Sequence, residues 1–422
     1  MTRAALTGAL RAAVDDWAHA PAPLPITGGV QAYAWGQRNG GAVIPRLLGI
    51  APAADRPYAE LWLGAHPLLP ATVNLGGAAV SLADVIAAAP AVALGAGSTA
   101  RFGPELPFLM KVLAAERPLS IQAHPTQAQA QAGFDREDAA GVPRDAPHRI
   151  YRDRNHKPEL ILALDDFHAL LGFRPPHEIA ALVGATPELG PVLGGGPGGD
   201  TRAWLKALFA RCFDPADVAV ASALGALMAR LETEDRARPF ARDRVEHWIL
   251  RAARSLGNAA DRGLLAFFLL NLVRLIEGQA LFLGAGEPHA YLEGVGVEVM
   301  ANSDNVLRGG LTPKHVDVAA LLDTLTFDAG PPRILTAAAD GAYPTPAAEF
   351  ITARLALRAG ESREIGGARG ADVVLMWEGQ GFVAGVPARA GAAFFVPAAL
   401  GAYRMTAESG PLLAFRSSVP QF

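Results

Sequence analysis

This sequence has almost no cysteine and no excess of charge of either sign. Cys212 is the only cysteine in 422 residues, which excludes an intramolecular disulfide and a zinc site built from several cysteines. We therefore expect a reducing, cytoplasmic location. The net charge of −4 argues against a broad nucleic-acid-binding surface, because such a surface needs an excess of clustered Lys and Arg. An anionic ligand would have to be held by a local basic cluster.

A long uncharged hydrophobic run is also missing. The longest candidate span, residues 264–283, contains Asn271, Arg274 and Glu277, which favours a buried helix running into a strand over a membrane span. The first twenty residues have an apolar start, but Arg11 and two aspartates interrupt it. An amphipathic N-terminal helix is therefore predicted instead of a signal peptide. No membrane partner is expected.

What the sequence does contain is typical of a protein with a large core. Hydrophobic residues make up 51% of the chain and charged residues 18%, and the length suggests two or three domains. Short β segments broken by Gly and Pro, including 60–64 and 108–112, run from residue 28 to about 170. Apolar residues at helical spacing follow from about 176 to 277, and β texture returns from residue 279 to the end.

This order predicts a mainly β protein: a β-barrel or jelly roll with a helical insertion, followed by a second β domain. The segment after residue 333 contains no histidine and no cluster with ligand spacing, so we expect it to bind no metal. The predicted divisions are an N-terminal helix or extension at 1–24, a catalytic domain at 25–176 plus 278–332, a helical insertion at 177–277, and a C-terminal β domain at 333–422.

Three short segments carry candidate metal ligands. In PLSIQAHP (118–125), strand alternation places Ser120, Gln122 and His124 on one face. In NHKPELILAL (155–164), Glu159 begins an apolar run, and a carboxylate there is costly unless it is paired or bound to metal. In GAGEPHAYLE (284–293), a Gly- and Pro-containing turn would direct His289 into the barrel.

Each segment alone also has a simpler explanation: an exposed strand face, a surface pair between Lys157 and Glu159, or an ordinary loop histidine. Together they supply two imidazoles, one carboxylate and one amide oxygen, from Gln122, His124, Glu159 and His289. Such a set suits zinc, although iron, manganese or cobalt would also fit.

A fourth segment, GVGVEVMANSDNVLRGGLTPKHVD (294–317), suggests an anion site. A strand with Glu298 leads into a polar turn, and Arg308, two glycines and Lys314 follow. Glycines beside a basic residue would let the loop approach a ligand closely, with Arg308 as a planar fork and Lys314 as a point charge. A solvated basic loop is the alternative.

These four segments resemble the type I mannose-6-phosphate isomerases, zinc enzymes of the cupin superfamily. The resemblance extends to QAYAWG (31–36), ELWLGAHP (60–67), LPFLMKVL (106–113) and FHALLGFR (167–174), and so covers about residues 25–320 in the right order. It implies a cupin (jelly-roll) catalytic barrel, an α-helical domain, a jelly-roll-like C-terminal domain, and one Zn²⁺ per chain. The N-terminal helix is an addition to the family's pattern.

The resemblance also implies roles for individual residues. The metal ligands fall on the quartet named above, and the family's essential arginine falls on Arg308. Other positions line the same pocket: Lys111, Ser120, Lys157, Glu298, Asp304 and Lys314. The implied reaction interconverts mannose 6-phosphate and fructose 6-phosphate through an enediol, with Arg308, Glu298 and Lys157 as catalytic residues and Ser120, Lys111, Lys314 and Asp304 as substrate-binding residues. Glu298 and a zinc-bound water are both candidates for proton transfer.

Two other functions are considered. A cupin iron oxygenase could use the same ligands, but it has no need of Lys111, Lys157, Arg308 and Lys314 together. A non-catalytic sugar-phosphate-binding cupin has little need of a metal. The expected partner is a small sugar phosphate, and the sequence is compatible with a monomer without specifying the oligomeric state.

Overall fold

The structure, a computed structural model, describes residues 8–366 and 370–420. The strands of these ranges are β1 (Leu24–Thr27), β2 (Gly29–Gln31), β3 (Glu60–Leu63), β4 (Thr72–Leu75), β5 (Ala78–Ser81), β6 (Phe108–Ala115), β7 (Gln122–Ala123), β8 (Glu159–Ala163), β9 (Phe167–Phe173), β10 (Leu270–Leu275), β11 (Gln279–Leu283), β12 (His289–Ala301), β13 (Leu307–Arg308), β14 (Ile334–Thr336), β15 (Ala342–Tyr343), β16 (Ile351–Leu357), β17 (Ser362–Ile365), β18 (Asp372–Glu378), β19 (Gln380–Val383), β20 (Val386–Arg389), β21 (Ala393–Val396), β22 (Tyr403–Ala407) and β23 (Leu412–Ser418).

The α-helices of the same ranges are α1 (Gly8–His19), α2 (Val43–Leu48), α3 (Leu82–Ala88), α4 (Pro90–Leu94), α5 (Ala96–Phe102), α6 (Gln127–Ala139), α7 (Pro176–Gly184), α8 (Gly190–Leu193), α9 (Thr201–Phe213), α10 (Val218–Ala237), α11 (Val245–Leu256), α12 (Ala266–Leu269) and α13 (Val318–Thr324). The predicted N-terminal helix is present as α1, which buries Val14 and Trp17; residues 1–7 of that prediction lie outside the described residues.

The long strand β12 organises the catalytic barrel. Its C-terminal half pairs with β6 and β8, and its N-terminal half pairs with β7 and β9. The register shifts between Tyr291 and Glu293, which bends the strand from one set of partners to the other. Gly294 follows with φ +132, and a Cβ there would lie 2.7 Å from the Phe167 ring. A side chain at this position would therefore block the bend.

Alternation along the barrel strands separates two environments. In β8, Leu160 and Leu162 pack in the core between the barrel and the C-terminal sheet, while Ile161 and Ala163 pack in the barrel interior. Glu159 belongs to the same alternating set as Ile161 and is also buried. The polar groups of the site are therefore inside the barrel because the period of a strand is two.

The helical block lies between β9 and β10, which pair with each other. Its apolar face is buried as the helical spacing predicts, with Trp248 and Ile249 of α11 fully enclosed. Asp200 and Asp217 cap α9 and α10 by accepting hydrogen bonds from backbone N–H groups. The prediction for residues 264–283 is confirmed: α12 runs directly into β10.

The C-terminal β region forms a sandwich. Its larger layer has the strand order β15-β16-β23-β18-β21-β1-β4-β5, and its smaller layer has the order β17-β22-β19-β20. Apolar residues from both layers, such as Val374 and Met405, share one core. The mainly β fold with a cupin-type barrel, a helical insertion and a second β region is thereby confirmed.

The two β regions are tied together by strands that cross the predicted domain boundaries. Strand β1, at the start of the chain, pairs with β21, and β14 pairs with β11 of the barrel. The boundaries themselves stay a prediction.

Among the described helices, no single one is long and apolar enough to cross a membrane. One pair of helices bent by 74° at the break between them, Thr201–Phe213 with Val218–Ala237, meets the length and composition requirements but no other criterion.

Candidate metal centre and substrate cavity

Three predicted ligands meet inside the barrel although they come from distant parts of the sequence. His124 Nε2 lies 3.3 Å from one Glu159 carboxylate oxygen, and His289 Nε2 lies 3.6 Å from the other. Candidate ligand atoms from the three residues all lie within 4.8 Å of one another, and all three side chains are buried. In the part of the chain that the structure describes, no other group of three His, Cys, Asp or Glu residues has this arrangement.

The orientation of both imidazoles is set by backbone carbonyls. His124 Nδ1 lies 3.0 Å from the carbonyl oxygen of Asn305, and His289 Nδ1 lies 3.0 Å from that of Glu287. A carbonyl only accepts, so each Nδ1 carries the proton and each Nε2 presents its lone pair. Burial, with a contribution from His124, lowers the pKa of His289 to about 4, so its ring is neutral and able to bind a metal.

The fourth predicted ligand, Gln122, has a backbone register that places it beside this group. Gln122 pairs with His289 on one side and with Arg308 on the other, so the three side chains share one face of the sheet. The side chain of Gln122 lines the central cavity. The register thus brings an amide oxygen next to the two imidazoles and the carboxylate.

The hydrogen bonding of His124, Glu159 and His289 indicates whether a metal ion fits between them. His124 Nε2, Glu159 Oε2 and His289 Nε2 are buried without a hydrogen-bond partner. Leaving such atoms unpaired costs free energy, whereas a bound cation would satisfy all three. Two imidazole nitrogens with a carboxylate and an amide oxygen form a donor set that suits zinc.

The site opens into a cavity of about 880 Å³. Nine of the eleven sequence-predicted site residues line it, and the other two, His124 and His289, contact Glu159 behind its wall. The nine are Lys111, Ser120, Gln122, Lys157, Glu159, Glu298, Asp304, Arg308 and Lys314.

Charged groups in the inner half of the cavity are paired. Lys111 Nζ lies 2.8 Å from Glu298 and 3.8 Å from Glu60, and Lys157 Nζ lies 3.2 Å from Glu159. Burial raises the pKa of Glu298. Lys111 acts to lower this pKa, but the nearby carboxylates of Glu159 and Glu60 raise it further, and the pKa lies above its ordinary value. Burial raises the pKa of Glu159, but nearby positive charge, including the ammonium of Lys157 at 3.2 Å, acts against burial, and the pKa lies well below its ordinary value.

Three cations that line the cavity have no acidic partner among the described residues. Arg308 and Lys314 line it with Arg152, and none of the three forms an ion pair within 4.0 Å in the described residues. Burial lowers the pKa of Arg308 and of Lys314, and repulsion from Arg152 lowers both further. The cavity therefore combines a candidate metal-binding group with positive charge that no acidic side chain of the described residues compensates.

That the glycines after Arg308 let the loop approach a ligand stays a prediction, and the structure shows a further reason for glycine here. The close approach of Gly310 is to the protein itself, since a Cβ there would lie 2.7 Å from Gly263 Cα. Its φ of +102 also favours glycine. The glycine lets the loop pack against the helical block, which holds Arg308 at the cavity wall.

Sequence reasoning missed several charged or titratable residues of the cavity, among them Glu60, His66 and Arg152. His66 Nδ1 accepts a hydrogen bond from the N–H of Leu68 (3.3 Å), which leaves Nε2–H facing Asp304 Oδ1 at 3.7 Å. Glu60 accepts from Trp62 Nε1 at 2.6 Å. Both residues belong to the largely buried segment ELWLGAH (60–66). A carboxylate and an imidazole in such an apolar segment could have marked them as candidate site residues.

The fold and the site define a class: a mononuclear metalloprotein built on a cupin barrel, with a polar cavity for an anionic ligand. Comparisons with known proteins identify the family. Residues 24–176 match the model of the phosphomannose isomerase type I catalytic domain. The chain is 42% identical to the mannose-6-phosphate isomerase of Escherichia coli K12 over 72% of this chain and 74% of that protein, and 35% identical to the Homo sapiens enzyme over 73% and 74%.

Solved structures agree with this result. The mannose 6-phosphate isomerase of Salmonella typhimurium bound to fructose 6-phosphate and zinc superposes with a TM-score of 0.80 at 33% identity, covering 94% of this chain and 100% of that one. The chain belongs to the type I mannose-6-phosphate isomerase family.

Proposed function

We propose that this protein is a zinc-dependent isomerase that interconverts D-mannose 6-phosphate and D-fructose 6-phosphate. One observation carries the proposal: the unpaired atoms of His124, Glu159 and His289 converge beside a cavity that Arg308 and Lys314 also line. The family relationship and the zinc- and substrate-bound relative support it.

Gln122, His124, Glu159 and His289 would hold the zinc. When bound, zinc supplies a Lewis acid that polarises the oxygens at C1 and C2 of the open-chain sugar. The two backbone carbonyls behind His124 and His289 keep both ligand rings oriented before the metal binds.

Glu298 is the side chain best placed for proton transfer. Isomerisation through an enediol requires a base that takes a proton from one carbon and returns it to the next. A buried carboxylate with a raised pKa is suited to both steps, because its proton affinity lies nearer to that of the working solution. Lys111, at 2.8 Å, holds the carboxylate and keeps it ionised between the steps.

The phosphate lies at the entrance in this proposal, where Lys314 contributes a point charge. Arg308 stands between Lys314 and the metal ligands, since its backbone pairs with Gln122. Its guanidinium is therefore placed to stabilise the developing enediolate. Ser120, Asp304 and Lys157 line the wall between these two ends and would bind the sugar hydroxyls.

The two alternatives are less well supported. An iron oxygenase does not account for Lys111, Lys157, Arg308 and Lys314 together in one cavity. A binding protein does not account for the candidate metal-binding group beside that cavity. A monomer and a cytoplasmic location remain part of the proposal.

A coupled assay of fructose 6-phosphate formation from mannose 6-phosphate tests the function directly. Metal analysis of the same preparation should show about one zinc per chain. Iron in place of zinc, with no isomerisation, would favour the oxygenase; tight sugar-phosphate binding without turnover would favour the binding protein.

A further inference from the structure

A third cation, Arg152, lines the same cavity as Arg308 and Lys314. The three positive charges influence one another, because Arg152 lowers the pKa of both other groups after the larger effect of burial. Like charges held together without counter-ions are unfavourable unless an anion joins them. A phosphate monoester, which carries close to two negative charges, is the anion that the proposed substrate provides.

The backbone at Arg152 is fixed by one buried side chain, Asn305. Its Oδ1 accepts hydrogen bonds from the N–H of Arg152 (2.7 Å) and of Asp153 (3.2 Å). Its Nδ2 donates to the carbonyl oxygens of Asp153 (2.9 Å) and Asn155 (2.9 Å). Asn305 is fully buried, so this amide uses both of its ends to hold the loop that carries Arg152.

Asn305 also contacts the metal centre through its main chain. Its carbonyl oxygen lies 3.0 Å from Nδ1 of the ligand His124. Displacement of this residue would therefore disturb the orientation of His124 as well as the loop. The metal end and the entrance of the cavity depend on one residue.

The same loop contains a natural contrast in Arg154. This residue does not line the cavity and instead pairs with Asp135 on α6, where both side chains are about half exposed. Arg152 and Arg154 thus carry the same charge on the same loop, but only Arg152 faces the cavity.

We propose that Arg152 is a third phosphate-binding residue, and that Asn305 is the positioning residue that holds both Arg152 and the metal ligand His124. The inference rests on the proposed function for the identity of the phosphate. A guanidinium adds a planar pair of donors that Lys314 cannot supply. Arg152 acts on capture of the substrate, since nothing links its side chain to the reacting carbons.

Calorimetric titration of the zinc-loaded protein with inorganic phosphate tests the first half. We expect Arg152→Ala to weaken phosphate binding roughly ten- to hundredfold, as for the loss of a charge-assisted hydrogen bond. The KM for mannose 6-phosphate should rise by a similar factor while kcat changes less than about twofold. Arg154→Ala is the matched control and should leave both constants unchanged.

Competition with a chelator tests the second half, because it measures zinc affinity without turnover. Asn305→Ala should weaken both zinc and phosphate binding, zinc by roughly ten- to hundredfold. Arg152→Ala should leave zinc affinity unchanged. In the double variant, phosphate binding should be no weaker than in Arg152→Ala alone, because Asn305 acts on phosphate through Arg152.

Unchanged phosphate affinity in Arg152→Ala, or an equal loss in Arg154→Ala, would overturn the role of Arg152. Unchanged zinc affinity in Asn305→Ala, or additive losses of phosphate affinity in the double variant, would overturn the role of Asn305. If the alanine variant does not fold, Asn305→Asp, which retains the acceptor oxygen, replaces it in the same cycle. Isomerisation of mannose 6-phosphate by the unmodified protein tests the proposed function independently of these variants.

Discussion

Lys111 and Glu298 face each other across paired strands β6 and β12, with Nζ and Oε2 2.8 Å apart inside the barrel. Both side chains are buried, with exposed fractions of 8% and 4%. Burial alone would lower the pKa of Lys111, but the carboxylates of Glu298 and Glu60 raise it above its ordinary value. The ammonium therefore stays charged, and it stabilises a carboxylate that burial disfavours.

The first prediction concerns this pair. Lys111→Met should lower the free energy of unfolding by about 3–5 kcal/mol, because it leaves Glu298 buried and unpaired beside Glu60. Urea unfolding at pH 7 measures the loss. The double variant Lys111→Met with Glu298→Gln should recover part of it, because Glu298 is then neutral and Glu60, which loses Lys111 at 3.8 Å, still accepts a hydrogen bond from Trp62. Equal stability of the single variant and the unmodified protein would contradict this reading of the pair.

The second prediction concerns the metal. A chelator should abolish activity, and added zinc should restore it. His289→Ala should lose both zinc and activity yet retain the fold, because the apolar core around the barrel is untouched. His177→Ala, at an exposed position of α7, is the matched control. Zinc content and circular dichroism decide the outcome, and full activity in metal-free protein would refute the proposed site.

The sequence indicated the group of His124, Glu159 and His289 that the structure brings together, because the three segments taken together carry a signal. Alternation places Gln122 and His124 on one face while Ile121 and Ala123 enter the helical core, as the structure shows. Glu159 stands out as a carboxylate in an apolar run. The same reasoning applied to the fully buried strand β3 identifies Glu60 as well.

Other features could not be predicted because they depend on contacts between distant segments. The hydrogen bonds from Asn305 to the loop of Arg152 join positions about 150 apart in the chain. The pairing of β1 with β21 joins opposite ends of the described chain. No local period or motif specifies such partners, so the sequence indicates two β regions but not the strands that connect them.

The third prediction is a pH dependence of stability that arises from His66. Burial lowers its pKa to about 4 in the folded protein, against about 6.5 in an unfolded chain. Above pH 6.5 the ring is neutral in both states. Between pH 6.5 and 4 only the unfolded state binds the proton, so the free energy of unfolding falls as the pH falls, by up to about 1.4 kcal/mol per pH unit.

This contribution can be isolated with a variant. Urea unfolding of zinc-saturated protein at pH 7, 6 and 5 should show a shallower decline for His66→Gln than for the unmodified protein. Zinc saturation keeps the two ligand histidines from titrating in the same range. Parallel declines in the two proteins would show that His66 takes up a proton in the folded state as readily as in the unfolded state.

The last prediction separates Arg308 from the other cations of the cavity. Its backbone pairs with Gln122, so Arg308 lies beside the proposed metal ligands, whereas no strand pairing joins Lys314 or Arg152 to them in the described residues. If its charge-assisted hydrogen bond, which contributes about 1.5–3 kcal/mol, forms mainly as the enediolate develops, Arg308→Ala should lower kcat by about one to two orders of magnitude with little change in KM. Arg308→Lys should be nearly as impaired, because the charge remains while the planar fork is lost.

Steady-state kinetics on both Arg308 variants measures these changes. Arg152→Ala is the comparison, because in that variant KM should change instead of kcat. A large rise in KM with unchanged kcat in Arg308→Ala would make Arg308 a phosphate-binding residue only, and the stabilisation of the enediolate would then fall to the zinc and Lys157.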